Sequence, residues 1–126
     1  MSRIRGADTE PEKLVRLFLR SVGIHYRLNA KRLPGRPDIV VPRARTAIFV
    51  HGCYWHRHEG CPLTTTPKSN AEFWARKFAG TVERDRRKEQ ALRELGWVVE
   101  VVWECEIERP GVLDLLALNL LVSMDE

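Results

Sequence analysis

Ile39-Val40-Val41-Pro42-Arg43-Ala44-Arg45-Thr46-Ala47-Ile48-Phe49-Val50 holds two β-branched runs separated by a proline-led break. Apolar runs without polar alternation read as strands covered on both faces, so this stretch predicts a hairpin in the middle of a sheet. Upstream, Pro34-Gly35-Arg36-Pro37 is a turn that cannot be helix, and it delivers Asp38 to the start of the first strand. Antiparallel partners return to the same end of a ribbon, so Asp38 is expected beside residues 49–51.

Working outward, residues 1–8 are polar and read as a flexible N-terminus. Thr9-x-x-Glu12 has the form of a capping box with Pro11 inside the first turn, and Leu14, Val15, Phe18 and Val22 recur at helical spacing until Gly23. Residues 24–28 predict a short strand. After an irregular stretch at 62–68, Ser69-x-x-Glu72 reads as a second capping box opening a helix to Leu95, with a kink or break expected at Gly80 and a stop at Gly96. Residues 97–103 predict a strand and 113–122 a closing helix. The order α, β-hairpin, α, β, α predicts the α/β class: an αβα sandwich around a central mixed β-sheet. At 126 residues the chain is long enough for one core, so 1–126 reads as a single domain.

A second signal adjoins the hairpin. Val50-His51-Gly52-Cys53-Tyr54-Trp55-His56-Arg57-His58, closed by Cys61, packs thiols, imidazoles and two aromatics into one loop. Zinc takes thiolate and imidazole in a tetrahedron. Cys53, His56, His58 and Cys61 offer four donors, and Cys105 adds a fifth from just after the 97–103 strand. The favoured set is Cys53, His58, Cys61 and Cys105, although sequence alone does not choose between His56 and His58. Three buried free cysteines are the ordinary alternative, and their clustering with two histidines argues against it. An odd cysteine count without an apolar signal-peptide core also argues against a disulfide framework. No segment has the length or purity of a transmembrane helix, so the expected compartment is the cytoplasm, with no membrane partner.

Asp38 could hold Mg²⁺ with a backbone carbonyl and waters completing the shell, and such an ion stabilises charge on a phosphodiester under attack. His51 and His56 stand close enough in sequence to move protons there. Taken alone, Asp38 would be read as a turn cap and Glu12 as a capping residue; two histidines and a metal loop converging on one sheet edge shift the balance for Asp38. The net charge of +4 agrees with an anionic partner. Lys31, Arg32 and Arg36 precede Asp38, and Arg43 and Arg45 follow it. The Arg84-to-Lys88 cluster is interleaved with Glu83, Asp85 and Glu89 and reads as a solvated helix face. Tyr54 and Trp55 are hard to bury together in a loop and read as DNA contacts that insert beside or stack on bases. For Trp74, core packing against Phe78 one turn later is an equal alternative. Trp97 and Trp103 read as core or strand-end residues.

Leu33-Pro34-Gly35-Arg36-Pro37-Asp38, Phe49-Val50-His51-Gly52-Cys53-Tyr54-Trp55-His56, Glu72-Phe73-Trp74, Val82-Glu83-Arg84-Asp85-Arg86-Arg87 and Leu95-Gly96-Trp97…Val102-Trp103-Glu104-Cys105 together resemble the very-short-patch-repair (Vsr) DNA mismatch endonucleases, from about Asp8 to Glu106. The resemblance implies a fold related to the type II restriction endonucleases of the PD-(D/E)xK nuclease superfamily. It implies nicking of double-stranded DNA 5′ to the thymine of a T:G mismatch within a short sequence tied to cytosine methylation. It further implies Asp38 as the Mg²⁺-binding carboxylate, the Val50 carbonyl as a further ligand, His56 as the catalytic histidine with His51 as its partner, and Glu12 near the active site. Cys53, His58, Cys61 and Cys105 correspond to structural Zn²⁺ ligands, and Tyr54, Trp55 and Trp74 to aromatics that wedge into DNA. The superfamily's acidic-x-Lys is absent; the strand end reads Phe49-Val50-His51, as in this family. The family's N-terminal clasp on DNA is expected to be weak, because little precedes Asp8. A monomer associated with the nucleoid and working with mismatch-repair proteins completes the expectation. A restriction-type nuclease without mismatch preference is the nearest alternative. A non-catalytic zinc-stabilised DNA-binding module is the alternative from another class; it would have no use for Asp38, His51 and His56 together.

Overall fold

The computed structural model describes residues 9–28 and 30–124; the N-terminal segment read as flexible, 1–8, lies outside them. Helix α1 (Glu10–Ser21) begins as its capping sequence dictates: Thr9 Oγ1 accepts the Glu12 N–H at 3.4 Å, and Pro11 occupies the first turn, where no N–H is needed. Gly23 ends it at φ +78°, a conformation that favours glycine. The helix buries Glu12, Val15 and Leu19.

Four strands follow: β1 (Arg27–Leu28), β2 (Ile39–Val41), β3 (Thr46–His51) and β4 (Val98–Trp103), in that spatial order. β1, β2 and β3 are antiparallel neighbours; β3 and β4 run parallel. The sheet is therefore mixed. Every residue of β2 and β3 is buried, as their unbroken apolar runs predicted. The short strand expected over 24–28 is confined to its last two residues. The break between β2 and β3 is a 3-10 turn at Pro42–Ala44, closed by Arg45 in the left-handed region.

The two sheet faces follow from the two-residue period. Ile39, Val41, Ile48, Val50 and Val102 pack with Val15 and Leu19 of α1 and with Leu116, Ala117 and Leu120 of α4 (Val112–Met124). Ala47 and Phe49 face the other way, with Val99, Val101 and Trp97, toward Leu92 of α3 (Ala71–Glu94). The result is the αβα sandwich. Ile48 is fully buried at its centre, and truncating it to alanine would cost about 2–5 kcal/mol. By the same alternation Asp38 and His51 emerge on the α3 face, at the end of the sheet where β3 finishes.

Several local expectations are corrected. α3 does not begin with a Ser69 capping box. Asn70 takes the cap position in the left-handed region, with no side-chain cap bond, and its carbonyl accepts the Trp74 N–H at 3.1 Å. Ser69 is thereby one residue too early. Gly80 neither kinks nor breaks α3, which runs unbroken through it; a glycine weakens a helix interior by about 1 kcal/mol, less than the flanking turns of a long helix supply. The loop rich in cysteine and histidine contains one helical turn, α2 (Cys53–His56). Arg45 does not join a phosphate-facing surface beside Asp38. It sits at the opposite end of β3, donating to the Leu95 carbonyl at 2.9 Å and stacking on Trp97.

Candidate active site and metal centre

Asp38 is placed by its neighbours. Gly35 and Arg36 both take positive φ, turning the chain sharply, and Pro37 then stiffens the approach to β2. A Cβ on Gly35 would lie 2.6 Å from Lys88 Cβ, so the missing side chain is what lets α3 close onto this turn. Asp38 Oδ2 accepts the Val50 N–H at 2.7 Å. Extending the β2–β3 register sets Val50 opposite Pro37. Proline has no N–H, so the ladder provides no donor for the Val50 carbonyl there. A carboxylate and a carbonyl oxygen are thus held at one strand end, the hard-donor combination that suits Mg²⁺. Burial pushes the Asp38 carboxyl up to about 6; the Val50 N–H opposes this, Glu12 reinforces it, and His56 and Lys88 oppose it. Glu12 is itself buried and accepts the Thr9 hydroxyl at 3.3 Å. It therefore does more than cap its helix: its charge reaches Asp38.

His51, the last residue of β3, is 5% exposed. Its ring stacks on His56 at 3.9 Å and 4° and meets the Trp103 ring edge-on at 5.1 Å. Burial first, then His56, pushes its pKa down to about 4, so the ring is neutral at neutral pH. His56 closes α2 and places Nδ1 2.7 Å from Asp85 Oδ2 on α3. The arrangement holds one imidazole in a fixed tautomer and orientation and leaves its other nitrogen for proton transfer. An open cleft of about 800 Å³ adjoins the pair, lined among others by Asp85, Arg86 and Trp103.

Asp85 and Lys88 are the site residues that the sequence reading missed, because their charge run looked solvated. The run is solvated on one side, where Glu83 pairs with Arg87 and Glu89 with Arg93. The buried residues Phe78 and Leu92 mark the inward stripe of α3. Asp85 lies seven residues from each, and that spacing was the available signal.

The second cluster brings His58, and not His56, to the three cysteines. Donor atoms of Cys53, His58, Cys61 and Cys105 all lie within 4.8 Å of one another, while His56 is turned to Asp85. His58 Nδ1 is 3.6 Å from Cys53 Sγ and 3.4 Å from Cys105 Sγ. These are close to the S···N edge of about 3.5 Å in a tetrahedron with typical zinc–sulfur and zinc–nitrogen bonds. The donor set fits such an ion. Glu104 Oε1 anchors the start of α2 by accepting the Cys53 N–H at 2.9 Å, and Thr64 donates to the His58 carbonyl at 2.7 Å. Trp103, a strand-end residue as read, stacks on His58 at 4.2 Å while touching His51. One indole thereby joins the cysteine- and histidine-rich loop to the histidine pair.

Tyr54, Trp55, Trp74 and Phe78 form one aromatic group between α2 and α3. Tyr54 meets Phe78 at 5.4 Å, Trp55 meets Trp74 at 6.2 Å, and Trp74 stacks on Phe78 at 5.7 Å, the packing contact weighed for Trp74. All three candidate DNA-contacting rings stay partly exposed. Arg57 lies 3.9 Å over Phe78 and donates to the carbonyls of Tyr54 and Thr65.

A mixed-sheet αβα sandwich with a partly buried carboxylate and two histidines at one end of its sheet is an arrangement suited to a restriction-endonuclease-like nuclease. Residues 1–62 match the family described as DNA mismatch endonuclease Vsr. The type II nicking enzyme V.XorIIP of Xanthomonas oryzae pv. oryzae is 47% identical over 121 residues, covering 96% of this chain and 88% of the relative. The type II nicking enzyme V.NmeAIP of Neisseria meningitidis is 44% identical, covering 89% and 79%. DNA mismatch endonuclease Vsr of Escherichia coli K12 is 46% identical, covering 85% and 68%. The chain belongs to the Vsr DNA mismatch endonuclease family, within the PD-(D/E)xK superfamily. It is a DNA endonuclease. Among the described residues no helix is long and apolar enough to cross a membrane.

Proposed function

We propose that this protein nicks one strand of duplex DNA 5′ to the thymine of a T:G mismatch, in very short patch repair, with Mg²⁺ at Asp38 and the Val50 carbonyl. The observation that carries this reading is the convergence of Asp38, the stacked His51–His56 pair and Asp85 at one end of the sheet. Bound there, Mg²⁺ supplies charge stabilisation to the phosphodiester. His56 moves the proton, its Nδ1 side held by Asp85. His51 supports the ring by stacking, and Glu12 adds negative charge beside Asp38. Cys53, His58, Cys61 and Cys105 hold a structural Zn²⁺ that fixes α2, and therefore His56. Tyr54, Trp55 and Trp74 meet the bases beside the mismatch. The chain acts as a monomeric single domain in the cytoplasm, at the nucleoid, alongside mismatch-repair proteins.

The test is cleavage of end-labelled duplexes carrying T:G or T:A at one position, with and without Mg²⁺. A single-strand cut 5′ to the mispaired thymine that requires Mg²⁺ is the expected result. Equal cutting of both duplexes favours a restriction-type nuclease, and no cutting with Mg²⁺ present removes the catalytic reading.

A further inference from the structure

We propose that Arg57 is the positioning residue of the aromatic group: its side chain braces α2 against α3 and against the 64–66 segment, so that Trp55 and Trp74 meet DNA as one rigid edge. The effect on cleavage rests on the reading of Tyr54, Trp55 and Trp74 given above; the brace itself does not.

The brace is built from one guanidinium. Arg57 Nη1 donates to the Tyr54 carbonyl at 3.1 Å and to the Thr65 carbonyl at 2.9 Å, and Nη2 donates to Thr66 Oγ1 at 2.8 Å. The Tyr54 carbonyl belongs to a helix of a single turn, and the last carbonyls of a helix find no partner within it. The guanidinium carbon lies 3.9 Å from the Phe78 ring centre and 5.4 Å from that of Tyr54. Phe78 is buried on α3, Trp74 stacks on it, and Trp55 meets it at 6.3 Å. One cation therefore touches the helical turn that carries Trp55, the ring that supports Trp74, and the segment beyond Cys61.

The backbone gives an independent observation. Arg57 stands at φ +56°, in the left-handed region that glycine takes at least cost. The turn sends three consecutive side chains three ways: His56 to Asp85, His58 to the cysteines and Arg57 to the aromatic group. Glycine would make this turn more easily, so an arginine there points to a use for its side chain. The usual use of an arginine in a nuclease loop is a phosphate contact. Here three of the five guanidinium N–H groups are already engaged within the protein, and the cation is held against a ring.

Two variants separate the side chain from the turn and the fork from the charge. Arg57→Gly suits the backbone and deletes the brace; Arg57→Lys keeps the charge and loses the planar fork. ¹⁵N relaxation of the indole N–H groups, in zinc-supplemented protein without DNA, reads rigidity directly. The Trp55 and Trp74 indoles should be ordered in the wild type, and Trp55 should become mobile on the ps–ns scale in both variants while Trp103 stays ordered. With T:G duplexes kcat/KM should fall by at least about tenfold in both variants. The salt slope of duplex binding should be the same in Arg57→Gly as in the wild type. Wild-type indoles that are already mobile, or order parameters unchanged in both variants, overturn the brace. So does a salt slope lowered by about one in Arg57→Gly with Arg57→Lys behaving as wild type, which would make Arg57 a phosphate contact. If Arg57→Gly also loses the order of Trp103, the milder Arg57→Lys decides. A wild-type protein that cuts T:G and T:A duplexes alike defeats the mismatch reading, and the relaxation result still decides the brace.

Discussion

His56 Nδ1 and Asp85 Oδ2 face each other at 2.7 Å across the gap between a one-turn helix and the middle of α3. The contact joins residues 29 apart in sequence and fixes which ring nitrogen of His56 faces the helix. A carboxylate in that position holds the ring so that its other nitrogen is presented in a fixed direction.

Asp85→Asn should therefore lower kcat for nicking by about 10²–10⁴-fold and change KM little. Asparagine keeps the size and one acceptor but removes the charge. Single-turnover nicking against DNA concentration separates the two parameters. A drop confined to KM would make Asp85 a DNA-binding residue instead.

The two halves of this contact were unequally legible in the sequence. His56 stood out because imidazoles and thiols crowded one short segment. Asp85 did not, because carboxylates alternate with arginines over 83–89 and most of that run does face water. Only the spacing from Phe78 and Leu92 marks it as inward. Asp38 beside Val50 followed from hairpin geometry alone, and Cys105 from its place just after a strong strand. The turn of helix at Cys53–His56 is too short to carry an apolar period. Ser69 misled because a capping sequence predicts a cap only if the next residue stays right-handed, and Asn70 does not.

Asp38 should work against stability when ionised. Burial pushes its carboxyl up to about 6 in the folded protein, above the ordinary value of 3.8. The protonated form is thus the one the fold favours. Stability attached to this group is fully present below about pH 4 and is lost as pH rises through 6. The loss at pH 8 is at most about 3 kcal/mol. Asp38→Asn keeps an oxygen for the Val50 N–H and cannot ionise. In Mg²⁺-free buffer its Tm should exceed wild type by several degrees at pH 8, with the gap closing toward pH 4. The same variant should not nick. Equal Tm values across the range would show that water reaches the carboxylate freely.

Cys105→Ser should release the ion from the Cys53, His58, Cys61 and Cys105 cluster. The loop would then lose its tie to the end of β4, and Trp103 would lose its rigid stacking partner. Structural zinc contributes many kcal/mol to small folds, so the variant should melt well below wild type. A chelator should do the same to the wild-type protein. Metal analysis with parallel Tm measurements checks both. A variant that keeps one ion per chain would place the site elsewhere.

Lys88 should set the acid limb of the pH–rate profile. Its stem crosses the turn at Gly35, and its charge opposes the upward push of burial on Asp38. Removing that cation leaves burial and Glu12 less opposed, so the Asp38 carboxyl must titrate at higher pH. On the proposed mechanism Mg²⁺ binds the ionised carboxylate, and the acid limb of kcat/KM reports groups of the free enzyme. Lys88→Met keeps most of the stem over Gly35 and removes the charge. Its kcat/KM profile should therefore shift its acid limb upward by a few tenths of a pH unit or more, with the plateau at high pH retained. If the plateau fell and the limb stayed in place, Lys88 would instead be contacting the DNA phosphate. Salt dependence distinguishes that case, because a lost phosphate contact lowers the salt slope of binding by about one.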